Sequence, residues 1–349
     1  MADAISLPCC ESERTRSRIG TGFTHEGRLR CPQRDNGNEM REDIPVKMLG
    51  AVDIGGTKIA VGGVREDGTI LNRFECPTDA ARGFGDAVQR ITQMLRGVEA
   101  QCSGRLDGIG IACPGPLDPM SGVLGEVGTL PGWHGGNLCL ALQKDFAVTV
   151  AVENDADAAA LAEWKWGGAK EAANFVYLTF STGIGGGVIT QGNLYRGVAG
   201  SHPEFGHQVI DPSGPLCYCS AHGCWESLAS GSALSDWMHK QAPDRPLLSA
   251  AEVCGLAWQG DELARKSTKR LGFYLGLGLA NIVTLFCPDA IALGGGLMKS
   301  SSLFLDDALQ TVREICTQVP AEKTKITLAA LAGDVGLLGG AQSWLHRYG

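Results

Sequence analysis

One arrangement of strands and glycines occurs twice in this 349-residue chain, and it restricts the fold more than any other feature. The stretch LGAVDIGGTKIAVGGVREDGTILNRFEC, from Leu49, reads as an apolar strand, a glycine turn, a second strand, a Glu-Asp-Gly turn and a third strand. FVYLTFSTGIGGGVITQGNLY, residues 175–195, repeats that order. Between the two lie a helix-like stretch from Phe84 to Val98, strand segments at 106–113 and 148–153, a Pro114-Gly115-Pro116 turn, and a helical stretch from Asn154 to Trp166. A chain written this way predicts an α/β fold of duplicated βββαβ units. Its two related lobes would each open on a glycine-bearing hairpin, with a cleft between them.

Size and apolar content suit a protein that buries a real core. The net charge is −8, and since residues 1–47 hold eight basic and eight acidic side chains, everything from Met48 onward carries it. That balance disfavours a nucleic-acid surface, so an anionic ligand needs a local device. Residues 1–47 lack apolar periodicity and read as a disordered tail, with Met40 or Met48 as alternative starts. No signal peptide is expected, because MADAISLPCCESERTRSR has no apolar stretch after a basic start. The longest apolar run, Leu271 to Phe286, is shorter than a membrane span, contains Asn281, and reads as a buried helix. Of the 13 cysteines, Cys9, Cys10, Cys31, Cys76, Cys102, Cys113, Cys139, Cys254, Cys287 and Cys316 show no framework spacing and read as free thiols of a reducing cytoplasm.

The other three cysteines cluster with a histidine in GHQVIDPSGPLCYCSAHGCWES: His207, Cys217, Cys219 and Cys224. Thiolates and imidazole at this spacing close a tetrahedral zinc shell. Buried apolar thiols are the plain alternative. Gly206, Pro212, Gly214, Pro215 and Gly223 mark the stretch as a loop, where such thiols do not normally collect. Glu204 and Glu226 flank the ligands, so a metal staple there would also hold carboxylates in place.

Three further motifs carry chemistry. In DIGGTK, Asp53 ends a strand, Gly55 and Gly56 permit a tight turn whose N–H groups can face a phosphate, and Thr57 and Lys58 add donors. One glycine hairpin is commonplace; a second at Thr182-Gly183-Ile184-Gly185 lets the pair clamp a triphosphate from both sides. Gly294-Gly295-Gly296 follows the strand AIAL and offers a flat surface to an adenine or ribose, or else a helix-packing turn. Asn154 and Asp155 stand between a strand end and a helix start, as an ordinary N-cap or as cleft-facing groups.

DIGGTK, PGPLD, ENDADAAALAEW, STGIGGG, PEFGH, CYCSAHGCWES and GGG occur in the order found in the ROK family of sugar kinases and repressors, which residues 48–349 resemble. The resemblance implies a two-lobed ribonuclease-H-like, actin-like ATPase fold, with lobes at 48–153 and 154–332 and the helix 333–349 completing the first. It implies ATP and Mg2+ between the lobes, Asp53 near the magnesium, and Asp155 rather than Asp157 as the base for a hexose hydroxyl. Gly115, Asn154, Glu204, His207 and Glu226 would bind the sugar, His207 holding a structural Zn2+ through one ring nitrogen and a hydroxyl through the other.

Glucose kinase activity is the first expectation. Fructose, N-acetylmannosamine or N-acetylglucosamine are alternatives within the class, and a sugar-responsive repressor is the alternative outside it. Repressors of the family carry a winged helix ahead of the sugar domain, for which the 47-residue tail lacks length and pattern. A homodimer without nucleic-acid or membrane partners completes the expectation. Ser181, Tyr218, Ser220 and Thr129 depart from the family's usual residues, and His222 is read as solvent-facing rather than as a ligand.

Overall fold

The computed structural model describes residues 47–349 apart from residue 171. Residues 1–46 of the expected tail, with Met40, Cys9, Cys10 and Cys31, lie outside the described residues. The first repeat forms β1 (Met48–Ile54), β2 (Lys58–Arg65) and β3 (Ile70–Pro77), followed by α1 (Phe84–Cys102), β4 (Gly108–Cys113), the short ribbon β5 (Leu117–Asp118) and β6 (Val123–Leu124), α2 (Leu138–Phe146) and β7 (Thr149–Asn154). The second forms β8 (Asn174–Phe180), β9 (Ile184–Thr190), β10 (Asn193–Leu194) and, after the helices, β11 (Ala290–Gly294) and β12 (Lys325–Leu328).

The two main sheets have the orders β3-β2-β1-β4-β7 and β10-β9-β8-β11-β12. Each begins as an antiparallel meander and continues with two parallel strands, so the repeat read in the sequence is a repeat of register as well. The parallel strands β4 and β11 are buried throughout, as strands covered on both faces must be.

Helix α1 buries Ala87, Ile91, Leu95 and Val98, spaced to form one stripe, and ends where Ser103 turns left-handed. It runs four residues past the expected end at Val98. Helix α3 (Asp155–Trp166) is buried nearly all round, because ADAAALA presents small side chains to neighbours on every side. A Cβ at Gly187 of β9 would stand 2.8 Å from Ala160, and one at Gly339 of α9 (Val335–Tyr348) would stand 2.7 Å from the Ala158 backbone. Glycine on two sides therefore lets α3 lie between the second sheet and α9. The first sheet is covered by α9 in turn: Trp344 crosses Gly108 and Gly110, and its indole N–H donates to Thr149, 2.8 Å from Oγ1.

The remaining helices belong to the second half: α4 (Trp225–Ala229), α5 (Gly231–Gln241), α6 (Ala250–Gln259), α7 (Glu262–Phe286) and α8 (Leu305–Ile315). The apolar run expected to be a buried helix is the second part of α7, buried on one face only; Phe273 and Leu285 face outward. Its glycines serve packing inside the chain. Gly272 and Gly276 admit α8, and a Cβ at Gly278 would lie 2.0 Å from the Trp225 ring. Trp225 is fully buried, meets Phe180 edge-on at 5.3 Å, and donates to the Tyr274 carbonyl at 2.9 Å. Aromatic burial of this size makes truncation cost ~3–5 kcal/mol. Trp225 thereby seats the helix that carries Glu226.

Candidate active site

A cleft of about 880 Å³ opens where β4, β7 and α3 meet the β8–β9 turn and the cysteine-bearing loop. Gly115, Asn154, Asp155, Glu204, His207 and Glu226, all expected at a sugar site, line it together. They come from four separate stretches of sequence, and the fold brings them to one surface.

Asn154 ends β7 and caps α3: its Oδ1 accepts from the Ala156 N–H at 2.9 Å and the Asp157 N–H at 3.4 Å. The cap and the cleft position thus coexist. The amide Nδ2 lies toward Gly115, where a Cβ would come within 3.2 Å of it. Asp155 is the first helical residue, with Oδ1 accepting from the Ala156 N–H at 2.8 Å. Its carboxylate meets cleft solvent, yet the walls enclose it closely enough that desolvation raises its pKa; Glu204 raises it further, while His202 and the Ala156 N–H pull it down. Asp53, at the cleft end of β1, is pushed up to about 6, first by burial and then by Asp155. Two carboxylates that oppose each other's ionisation are a fitting pair of ligands for a divalent cation.

Asp157 points away from the cleft, as expected. It is fully buried and paired with Arg196, which also pairs with Glu153. Arg347, near the end of α9, reaches Glu153 at 3.2 Å and the Pro119 carbonyl at 2.8 Å. Burial raises both carboxyls and the arginines oppose it, so the cluster holds together only while all partners are present.

Nδ1 of His207 and the sulfurs of Cys217, Cys219 and Cys224 all lie within 4.8 Å of one another. Nδ1 is 3.6 Å from the Cys217 sulfur, and the Cys219 and Cys224 sulfurs are 3.5 Å apart. Ligands at 2.0–2.3 Å from one tetrahedral zinc stand ~3.4–3.8 Å from each other, so the donor set fits that ion. His222 is exposed and sits outside the cluster, 3.2 Å from the Gly214 carbonyl.

The two glycine hairpins differ in placement. Gly183 and Gly185 border the cleft, and Glu226 accepts from the Ile184 N–H at 2.7 Å, tying the hairpin to the cysteine loop. Thr182, with Ser181 and Gly296, lines a neighbouring cavity of about 560 Å³. Gly294 and Gly295 do not reach that cavity. Gly294 is buried under Tyr177, whose hydroxyl an added Cβ would approach to 2.4 Å, whereas Gly295 and Gly296 are exposed; a Cβ at Gly295 would meet the Phe180 backbone at 2.2 Å, so glycine is needed there too.

In the first hairpin the Gly55 N–H donates to the Lys58 carbonyl at 2.8 Å, leaving Gly56 and Thr57 as the free N–H groups among the described residues. Lys58 corrects the expectation made for it. Its ammonium pairs with Glu75 at 2.9 Å, because β3 places Glu75 and Arg73 beside it, so it does not point as a free donor into the turn.

Residues 49–347 match the ROK family. This chain belongs to that family. It is 31% identical over 316 residues to the glucokinase of Thermotoga maritima, covering 87% of this chain and 99% of the relative. Among solved structures it is similar to a ROK hexokinase from Thermus thermophilus, at 34% identity and TM-score 0.77 over 85% of this chain and 97% of that one. It is also similar to a ROK family glucokinase from Streptomyces griseus in complex with glucose and AMPPNP, at 31% identity and TM-score 0.72 over 86% of this chain and all of that one. The actin-like ATPase fold expected from the motifs is therefore the fold of this ROK protein.

Several residues of this ROK protein enter the site without having been singled out. His202 lines the cleft with Nε2 3.4 Å from Glu204, and its place beside PEFGH was the signal available. Arg196 borders the cleft while holding Asp157; its partners lie 39 and 43 residues away, so nothing local announces it. Thr129, noted in the sequence only as a departure from the family's usual residue, fills the space over Gly56, where a Cβ would come within 2.9 Å of its own.

Proposed function

We propose that this protein transfers the γ-phosphoryl group of ATP to a hexose hydroxyl, most directly that of glucose, with Asp155 as general base. The observation that carries the reading is Asp155 itself: a carboxylate of raised pKa on the cleft wall, between the β8–β9 hairpin and a ring of polar groups. The Streptomyces griseus relative holding glucose and AMPPNP supports it.

Asn154, Glu204 and Glu226 orient the sugar by accepting from or donating to its hydroxyls, and Gly115 lets backbone approach the ring. Asp155 takes the proton of the reacting hydroxyl as that oxygen attacks the γ-phosphorus and the bond to the ADP oxygen breaks. A positioned base contributes ~10²–10⁴-fold; in-line alignment and charge neutralisation supply most of the rest. The N–H groups of Thr182 and Gly183 face the phosphates from one side, those of Gly56 and Thr57 from the other, and Gly296 borders the nucleoside cavity. Mg2+, held near Asp53, would neutralise phosphate charge and leave Asp155 to take the proton. Zn2+ in the His207, Cys217, Cys219, Cys224 set would be structural, because protein atoms fill every position and no site is left for an activated water. Under the same reading the enzyme is a cytoplasmic homodimer.

An ADP-release assay over glucose, fructose, N-acetylmannosamine and N-acetylglucosamine tests the proposal. Turnover of at least one hexose, glucose foremost, is expected, with Asp155→Asn abolishing it while sugar binding persists. Activity on none of them, or near-normal turnover in the variant, would overturn it.

A further inference from the structure

His202 stands in the loop before the Phe205–His207 turn and lines the 880 Å³ cleft with a side chain that is 22% exposed. Its Nδ1 is buried and has no hydrogen-bond partner among the described residues. The open part of the ring is therefore the opposite edge, which carries Nε2.

That edge faces carboxylates. Glu204 Oε1 lies 3.4 Å from Nε2, and His202 is near enough to Asp155 and Asp157 to favour the ionised form of each. A bare nitrogen lone pair aimed at a carboxylate would be repelled, so in the neutral ring the proton sits on Nε2, as it also does in the cation. On its cleft side His202 is thus a donor in either state. The 3.4 Å approach to Glu204 is longer than a formed N–H···O bond, which leaves the N–H to be taken by a ligand.

Gly115 makes the room. A Cβ built there would lie 3.2 Å from Asn154 Nδ2, 3.7 Å from the Leu117 backbone nitrogen and 3.9 Å from His202 Nε2. With only hydrogen in its place, a gap bounded by these nitrogens opens onto the cleft that Asp155 also lines. Asn154, its Oδ1 held by the cap on α3, keeps Nδ2 toward this gap. Glu204 can only accept when ionised, so an N–H and a carboxylate stand together at one place on the wall. A hydroxyl, which accepts through its lone pairs and donates its proton, satisfies both at once.

We propose that His202 is a specificity-determining residue of the sugar site: its Nε2–H donates to the oxygen of one sugar hydroxyl seated in the gap beside Gly115, and that hydroxyl gives its own proton to Glu204. The proposal rests on the sugar-kinase reading. A sugar without a hydroxyl at that place leaves both protein groups unpaired and is discriminated against.

The test is calorimetric titration of the zinc-loaded protein, its metal content verified, with the tightest binder among glucose, fructose, N-acetylmannosamine and N-acetylglucosamine, and with derivatives of that sugar each lacking one hydroxyl. A non-hydrolysable ATP analogue is titrated separately. His202→Ala is expected to weaken binding of the complete sugar about three- to tenfold, the worth of one hydrogen bond, with nucleotide affinity unchanged. For one derivative the parent and His202→Ala should bind alike, because the hydroxyl that His202 reads is gone; for the others the difference should persist. His202→Gln, whose amide N–H can reach about as far as Nε2, should regain part of the loss. No weakening in His202→Ala, or a loss of the same size for every derivative, would overturn the inference while leaving the kinase reading intact. A parent that binds none of the four sugars would overturn both.

Discussion

The β1–β2 and β8–β9 hairpins have the same topology and opposite surroundings. The second is fastened to the cysteine loop through Glu226 and to α5 through the Gly231 N–H, 2.8 Å from the Ser181 carbonyl, and its residues border three cavities. The first is braced from β3, where Thr78 donates to the Gly55 carbonyl at 2.6 Å and Glu75 takes Lys58, and its turn borders none of those cavities. Duplication has copied the backbone and its register. The side-chain bracing differs between the copies, through Thr78 and Glu75 in the first and Glu226 in the second. On the proposed reading, sugar recognition and the metal loop would act through the second hairpin, while the first would meet phosphate with little but its turn.

That contrast can be broken at graded strength. The largest loss is expected at the seam between the halves: Asp155→Asn should lower kcat by ~10²–10⁴-fold in steady-state assays while calorimetry finds hexose affinity within a few-fold of the parent. Next comes the metal. Chelation should weaken hexose binding well before nucleotide binding, since the cysteine loop holds Glu226 and His207 but not Gly296; equal loss of both would erase the asymmetry.

A matched pair follows. A Cβ at Gly183 would lie 2.3 Å from the Glu226 carboxylate, whereas one at Gly56 meets the Thr129 Cβ at 2.9 Å. Gly183→Ala should therefore cost ~1–3 kcal/mol of thermal stability with a clear rise in KM for the sugar, and Gly56→Ala distinctly less. Lys58→Met should matter least, with kcat/KM changed under about threefold, because its ammonium is spent on an exposed pair worth ~0–1 kcal/mol.

The pH profile sharpens the same picture. Desolvation and Glu204 hold the Asp155 pKa above the ordinary aspartate value, so the base is lost at a higher pH than an ordinary aspartate would be, and kcat/KM should fall as pH drops through that raised pKa and level off above it. Glu204→Gln removes a like charge and should move the acid limb to lower pH. A limb that stayed in place would mean that another group controls it.

Most of the scaffold was legible because it rests on local patterns. Strand–turn–strand periodicity in residues 49–76 and 175–195 announced both sheets, and the metal set followed from spacing alone. What stayed hidden depends on partners distant in sequence. Nothing near Lys58 says that β3 will set Glu75 and Arg73 against it, and nothing near Arg196 announces Glu153 and Asp157. The glycine triplet divides for a related reason: only packing tells an exposed glycine, like Gly296, from one buried beneath a neighbour, like Gly294 under Tyr177.

The placement of α9 has a consequence for synthesis. The face of the first sheet beneath Trp344 consists of Gly108, Gly110 and Leu49, and α9 is what covers it. On the ribosome that sheet is made early and its cover late, so an apolar face remains open through translation of the entire second half. Until residues 335–348 emerge, Glu153 also lacks Arg347. A nascent chain of this design depends on shielding by other means, and truncation near its carboxyl end would expose the sheet that was made first.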